Sequence, residues 1–478
     1  MDDNLPVLVG VSAITGRDAD HDVLDLMTAA ARGALGDASG TVARGNIGTV
    51  LVPRGTWTHA DAGREVANRI GATAARSIAA EVGVLQQTLI SRACAAVTRG
   101  GASFALVLGG EAAASDRRRG QRATPVPSSH DPGVAPDEVL TPADGIVGGL
   151  EVHRRLWTPS TQYAMIESTL GRATASLHES WASFSRVASR NPDAWDRSGV
   201  THEDLAWATS SNRPVAFPYG RRHCSQMYVD QASALLFCSV ATARSARIPT
   251  DRWVFPHALA ESNHVIPLPA RIDPGRSPGF AAVGVALAEG IGRGLPEIEH
   301  VDLYSCFPAA VEVQRREFGL AADRMTTVTG GMSFGGGPFN SYSLHSTVKM
   351  VQVLRAHPGE HGLVTAISGM ITKQAGAVWS TTPPIRFKSS DVSRIAARQP
   401  IAPIIEVPDA DNVCSPARVV ASTVTVDRSE SVLAVVLAEL ADGRRTLVAT
   451  DNPAVTAAMT QGTSSPTIVV RGTDFTPT

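Results

Sequence analysis

Apolar positions along this chain switch between two periods, and the switches mark out its elements. Leu5 to Val11 is an apolar run of strand length. After it, Val23, Leu26, Met27, Ala30, Ala31, Ala34 and Leu35 recur at helical spacing, and Ile47 to Val52 is apolar again. A strand, helix, strand opening predicts a βαβ unit with a parallel pairing and a right-handed crossover. Residues 82–99 (VGVLQQTLISRACAAVTR) predict a helix whose small residues permit close packing, followed by a strand from Phe104 to Gly110.

From Ala113 to about Gly149, Pro125, Pro127, Pro132, Pro136 and Pro142 break any regular element and predict a long excursion. Ser160 to Asn191 reads as mostly helical, with Tyr163, Ile166, Leu170, Ala173, Leu177 and Trp181 at helical spacing. Residues 211–224 (SNRPVAFPYGRRHC) are irregular again, the kind of excursion that often carries a binding surface. A helix from about Val229 to Arg244 and a strand around Trp253 to Phe255 are expected next. Residues 362–369 (GLVTAISG) end in small residues as 104–110 (FALVLGG) do, each after a helix, which hints at internal duplication. Beyond residue 402 the pattern shifts to β-branched runs bounded by Asp442-Gly443 and Asp451-Asn452-Pro453 turn signals, predicting a small separate β domain.

Composition narrows the class. The chain has 478 residues, 43% of them apolar and 18% charged, which fits two or three domains of an ordinary globular protein. A formal net charge of -2 speaks against wrapping nucleic acid or coating an anionic membrane. No apolar run approaches the roughly 18 residues of a membrane span. The acidic start MDDN lacks a signal peptide's basic region, so a cytoplasmic location is expected. Arg117, Arg118 and Arg119 read as a solvated loop, with a nucleotide-bearing substrate as the functional alternative. Cys94, Cys224, Cys238, Cys306 and Cys414 are scattered without CxxC spacing, which supports neither a zinc site nor a disulfide framework.

The chemistry concentrates between Val301 and Ser380. An apolar run ending in Tyr304-Ser305-Cys306-Phe307 predicts a strand that delivers polar side chains at its mouth, with Pro308 opening a helix. Gly330, Gly331, Gly335, Gly336 and Gly337 then let a backbone approach a ligand closely. Tyr342 and His345 follow, three apart on one predicted helix face.

These segments resemble the thiolase superfamily. VDLYSCFPAAV is similar to the family's NEAF motif (HDCF in the sterol-carrier branch), TGGMSFGGGP is similar to NGGAIALGHP, and ASFALVLGGEA matches the strand after the nucleophile helix. VGVLQQTLISRAC, NRPVAFPYG and DGRRTLVATDNP look like the group called thiolase-like protein type 1, often named acetyl-CoA acetyltransferases. The resemblance covers roughly residues 5–400. It implies an α/β fold of two doubly wound halves in five layers (αβαβα). The expected divisions are residues 1–255 (with the excursion at about 113–225), 256–400, and an OB-like β domain at 402–478. Mild charge and sparse aromatics in that last domain argue against nucleic acid. The implied ligand is CoA or an acyl-CoA, with no other cofactor and no metal; a homodimer stays open.

The departures from the family are as telling as the matches. A thiolase cysteine accepts and returns an acyl group, splitting one hard step into two. Counting back from Gly100 places Gly83 at that position. Gly337 replaces the histidine of GHP, Ile367 the cysteine of the CxG motif, and Tyr304 the asparagine of NEAF. Cys94, further along the helix, reads as a small core residue. What remains for proton movement is Tyr304, Cys306 and His345, with a structural phenol, an inert buried thiol and a satisfied helix histidine as their alternatives; Gly330, Gly331, Gly336 and Gly337 stand beside the substrate, and Lys373 faces water, with a substrate phosphate as its alternative. Two functions stay open: a CoA-thioester enzyme (acyl transfer or carbon-carbon cleavage or formation, an acyltransferase of lipid metabolism) that forms no cysteinyl intermediate, or a non-catalytic acyl-CoA-binding or scaffold protein.

Overall fold

Eighteen strands carry the architecture of the computed structural model, which describes residues 1–39, 42–120, 135–206, 208–406, 414–462 and 465–478. Pro125, Pro127 and Pro132 of the expected excursion lie outside the described residues. The first part contains β1 (Pro6–Thr15), β2 (Ile47–Pro53), β3 (Arg76–Ala80), β4 (Phe104–Ala112), β5 (Glu138–Leu140), the short pair β6 (Pro214–Ala216) and β7 (Tyr219–Gly220), and β8 (Asp230–Ser239). Next come β9 (Phe255–Ser262), β10 (His300–Asp302), β11 (His361–Ser368), β12 (Lys373–Ser380) and β13 (Lys388–Asp391). The chain ends with β14 (Cys414–Val426), β15 (Val432–Leu440), β16 (Arg445–Thr450), β17 (Thr467–Arg471) and β18 (Asp474–Pro477).

One sheet has the order β1-β8-β4-β2-β3-β5 and a second the order β10-β11-β12-β9-β13. In the first, β2 and β4 are parallel, while β4 with β8 and β8 with β1 are antiparallel. In the second, β10 and β11 are parallel, while β11 with β12 and β12 with β9 are antiparallel. The runs β2-β4-β8-β1 and β10-β11-β12-β9 therefore repeat each other strand for strand, a duplication of which the sequence keeps only a trace. β5 pairs in parallel with β3 and covers its outer edge.

Between the sheets lie the helices Gln86–Thr98 and Tyr342–Ala356. Their Leu89, Ile90, Leu344 and Val348 share one buried cluster with Val107 and Phe237 of the first sheet and Val364 and Trp379 of the second. Cys94 sits in this cluster, and burial pushes its thiol up. Helices Val23–Asp37 and Ala62–Ile70 cover the far face of the first sheet. Helices Pro278–Ile291 and Pro308–Glu317 lie beyond the second, completing a five-layer αβαβα stack. Among the described residues no helix is long and apolar enough to cross a membrane.

The expected helix at Val229 to Arg244 is instead strand β8 followed by the short helix Val240–Ser245. All ten residues of β8 are buried, because it lies between β1 and β4 with both faces covered. Such a strand shows no alternation, so its apolar run reads equally well as a helix. The Asn452-Pro453 turn signal likewise opens the helix Pro453–Thr460, with the Asn452 side chain accepting from the Ala454 N–H.

β14 to β18 form an antiparallel sheet, and the irregular segment around residue 217 docks on it: β6 pairs with β14, the Phe217 N–H donates to Val424 O (2.8 Å), and Thr423 Oγ1 donates to Phe217 O (2.8 Å). A second tie is Arg445, whose guanidinium donates to Arg271 O (2.5 Å) and Ile272 O (3.0 Å). Arg271 in turn donates to Met370 O (2.5 Å) in the turn between β11 and β12.

Glu111 on β4 gives the fold a pH dependence. It is buried, accepting from the Thr56 N–H (3.0 Å) and the Thr56 hydroxyl (2.5 Å), and burial raises its carboxyl from 4.5 to about 7. A raised acid contributes stability that is fully present below 4.5 and is lost as pH rises through about 7. That difference corresponds to ~3 kcal/mol. Glu111→Gln is therefore expected to be more stable than the parent at pH 8 and to lose most of the parent's fall in urea midpoint between pH 5 and pH 8.

Candidate active site

The β10 strand mouth is held rigidly. The Tyr304 N–H donates to Thr365 Oγ1 (2.7 Å), its carbonyl accepts from Gln314 Nε2 (2.8 Å), and Thr365 Oγ1 donates to Gln314 Oε1 (2.6 Å). The ring meets Tyr342 edge to face, with centroids 5.6 Å apart. Among the described residues the Tyr304 hydroxyl takes no hydrogen-bond partner, and the residue keeps 8% of its surface open. Cys306 follows at 9% exposure, with its carbonyl accepting from the Ser225 N–H (3.0 Å). Burial pushes its thiol up to about 12, although the Tyr163 hydroxyl beside it lowers it in part. At neutral pH this cysteine is a thiol and not a nucleophile.

Tyr163 was legible in the sequence only as one residue of a helical stripe. Its ring stacks on Phe307 at 4.7 Å, and its hydroxyl donates to Gly369 O (3.4 Å). No local sequence signal joins it to Cys306, because the two segments meet only in the folded chain.

Asp302, the last residue of β10, organises the glycine segment. One carboxylate oxygen accepts from the N–H groups of Val328 (2.8 Å) and Thr329 (3.0 Å) and from the hydroxyls of Thr327 (3.1 Å) and Thr329 (3.0 Å). The other accepts from Tyr342 (3.0 Å). Burial raises this carboxyl, and those hydrogen bonds oppose the rise.

The glycines make room for the chain itself. A Cβ on Gly330 (φ +96°) would lie 2.4 Å from the Ala188 side chain, and one on Gly336 (φ +104°) would lie 2.1 Å from Gln231 Oε1. Their amides are largely used: Gly330 and Gly331 donate to Thr327 Oγ1 (3.0 Å each), Gly335 to Gly331 O (2.6 Å) and Gly337 to Gln226 O (2.9 Å). Gln231 Nε2 bonds Gly335 O at 2.9 Å. The segment is thus a packed wall of the site, and its amides at these four positions are not free donors.

Gly83 lies where the helix Gln86–Thr98 is about to begin, with φ +105° and Pro142 only 3.1 Å from where its Cβ would be. Lys373, expected to face water, is instead buried. Its ammonium donates to Gly83 O (3.0 Å) and Asp144 O (3.3 Å), and burial lowers its pKa. One carbonyl from the excursion and one from the turn before the helix Gln86–Thr98 replace water around the charge; neither is near Lys373 in sequence. Ile367 is buried on β11 within the apolar core.

His345 is fully buried near the start of its helix, and neither ring nitrogen has a partner among the described residues. Burial lowers its pKa and keeps it neutral. Tyr342, three residues earlier, turns to Asp302. Among the described residues no hydrogen bond joins the His345 ring to Tyr304 or Cys306.

Two duplicated halves in five layers, with a glycine wall at the β10 mouth, give the chain a thiolase-like fold. Over the whole length of both chains it is similar, at 27% identity and a TM-score of 0.80, to a monomeric SCP2-thiolase-like protein type 1 from Mycobacterium smegmatis. Its fold is also that of an Ltp2-ChsH2(DUF35) aldolase (17% identity, TM-score 0.60, 79% of this chain and 98% of that one). The human mitochondrial 3-ketoacyl-CoA thiolase shares it too (16% identity, TM-score 0.53, 80% of this chain and 100% of that one). No protein-family model and no curated protein sequence matches the chain.

Proposed function

We propose that this chain acts on CoA thioesters, in acyl transfer or carbon-carbon bond cleavage or formation, without a cysteinyl intermediate. The observation that carries this reading is the Tyr304 hydroxyl: its backbone is clamped by Thr365 and Gln314, and its O–H has no acceptor within the described chain. A fixed, unsatisfied donor at a strand mouth suits a developing oxyanion. It takes the part that loop amides would otherwise play, since those of Gly330, Gly331, Gly335 and Gly337 are committed. Cys306, neutral and next to Tyr163, serves as a proton donor and not as a nucleophile. Two solved structures of the same fold are named an aldolase and a 3-ketoacyl-CoA thiolase.

The chain works as a monomer on this reading. The relative matched over its whole length is described as monomeric, and here β5 occupies the outer edge of β3. The β14–β18 sheet is read as an OB-like module supplied in cis.

A second reading, a non-catalytic acyl-CoA-binding protein, draws on the closure of Gly83 by Pro142 and Lys373. Titration of the purified protein with CoA, acetyl-CoA and a longer 3-ketoacyl-CoA, with mass spectrometry of each mixture, separates the two. Binding with product supports the enzyme. Binding without product supports the second reading, and absence of binding removes both.

A further inference from the structure

At the opposite end of β10 from Tyr304, the fold gathers a group that the sequence keeps apart. His300 opens β10. His357 caps the C-terminus of the helix Tyr342–Ala356, and Glu360 closes the turn that leads into β11. One ligand atom from each of the three side chains lies within 4.8 Å of the others. We propose that His300, His357 and Glu360 bind a divalent cation of the zinc class, with three protein ligands and the remaining coordination open to solvent.

The scaffold is rigid where it matters. β10 and β11 are paired in parallel, with His300 opposite Gly362, so the strand that carries one ligand is fixed against the strand that follows another. The turn is held by the Glu360 N–H donating to His357 O (3.3 Å) and the Gly359 N–H donating to Thr381 Oγ1 (2.8 Å). The side chains keep freedom to adjust: His357 is exposed, and the side chains of His300 and Glu360 are 21% and 41% exposed. His300 Nε2 and Glu360 Oε2 stand 2.6 Å apart. Adjacent ligands of a tetrahedral shell with bonds near 2.0 Å are separated by roughly 3.3 Å, a small opening for two partly exposed side chains.

Chemistry and field favour the same ion class. Two imidazoles and one carboxylate form a borderline donor set that suits zinc and its first-row neighbours better than magnesium or calcium. The negative end of the Tyr342–Ala356 helix adds attraction for a cation at His357. The nearby arginines are otherwise engaged: Arg293 pairs with Glu299 at 2.8 Å, and Arg324 donates to the carbonyl oxygens of Ile298 and Glu299. A bound ion would join the start of β10 to the turn before β11.

The full-length protein, stripped with a chelator and dialysed, is to be titrated with ZnCl2 by calorimetry, and Co2+ is to be followed by visible absorption. One saturable site is expected. His357→Ala and Glu360→Gln should each weaken it by at least the roughly 10-fold that losing even an outer-sphere partner causes. His153→Ala, which removes an exposed histidine paired with Glu406 elsewhere on the surface, should leave it unchanged. Because His357 is exposed, its variant is expected to fold, and a circular dichroism melt checks this. Absence of a saturable site in the parent, or unaltered zinc affinity and Co2+ spectrum in either ligand variant, would overturn the proposal.

Discussion

Replacing Tyr304 with phenylalanine is expected to lower kcat on a CoA thioester by about 10²-fold with little change in KM, the effect of removing one oxyanion donor. The substitution is cleanly interpretable because the backbone of residue 304 is held by Thr365 and Gln314, and not through its phenol. A phenylalanine ring keeps the edge-to-face contact with Tyr342. Only the O–H is lost, so the change falls on the transition state and not on the shape of the wall. Steady-state kinetics with product identification measure it. Full activity in the phenylalanine variant would assign carbonyl polarisation to another group and leave Tyr304 as a structural residue.

Asp302→Ala is expected to be the most damaging single change in the second half. Four donors converge on one carboxylate oxygen and a phenol on the other. Deleting the carboxylate strands the N–H groups of Val328 and Thr329 without their acceptor, a loss of about 1–3 kcal/mol for each. Asp302→Asn should fall between that variant and the parent, since an amide oxygen still accepts while its NH2 faces other donors. Urea unfolding measures the three proteins side by side. A change below about 1 kcal/mol for Asp302→Ala would mean that water takes over the network.

Much of the fold was written in the periods of the sequence. β1, β2, β4 and the helix Val23–Asp37 stand where apolar runs of strand length or helical spacing put them. β8 escaped because its fully buried apolar run continues directly into the short helix Val240–Ser245, and such a run reads equally well as a helix. The helix Pro453–Thr460 escaped because Asn452-Pro453 serves a turn and a helix start equally well. At the site, Tyr304 and Cys306 could be found because a strand end followed by proline is a local pattern. Lys373 and Tyr163 could not be placed, since Gly83, Asp144 and Gly369 reach them across the fold. The glycines announced a crowded backbone, but nothing local said that Ala188 and Gln231 would be the crowd.

Arg271 and Arg445, both buried, have a consequence for how the molecule comes apart. Arg445, from the last sheet, caps the carbonyls of Arg271 and Ile272, and the Arg271 side chain caps Met370 beside the carbonyl that meets Tyr163. If β14–β18 unfolded first, two carbonyls would lose their donor and the turn at the site would lose the backbone that supports its own arginine. Local opening of the terminal sheet is therefore coupled to loosening of the strand mouth far away in sequence. Hydrogen exchange at Val436 and at Ala366 should then report the same opening free energy.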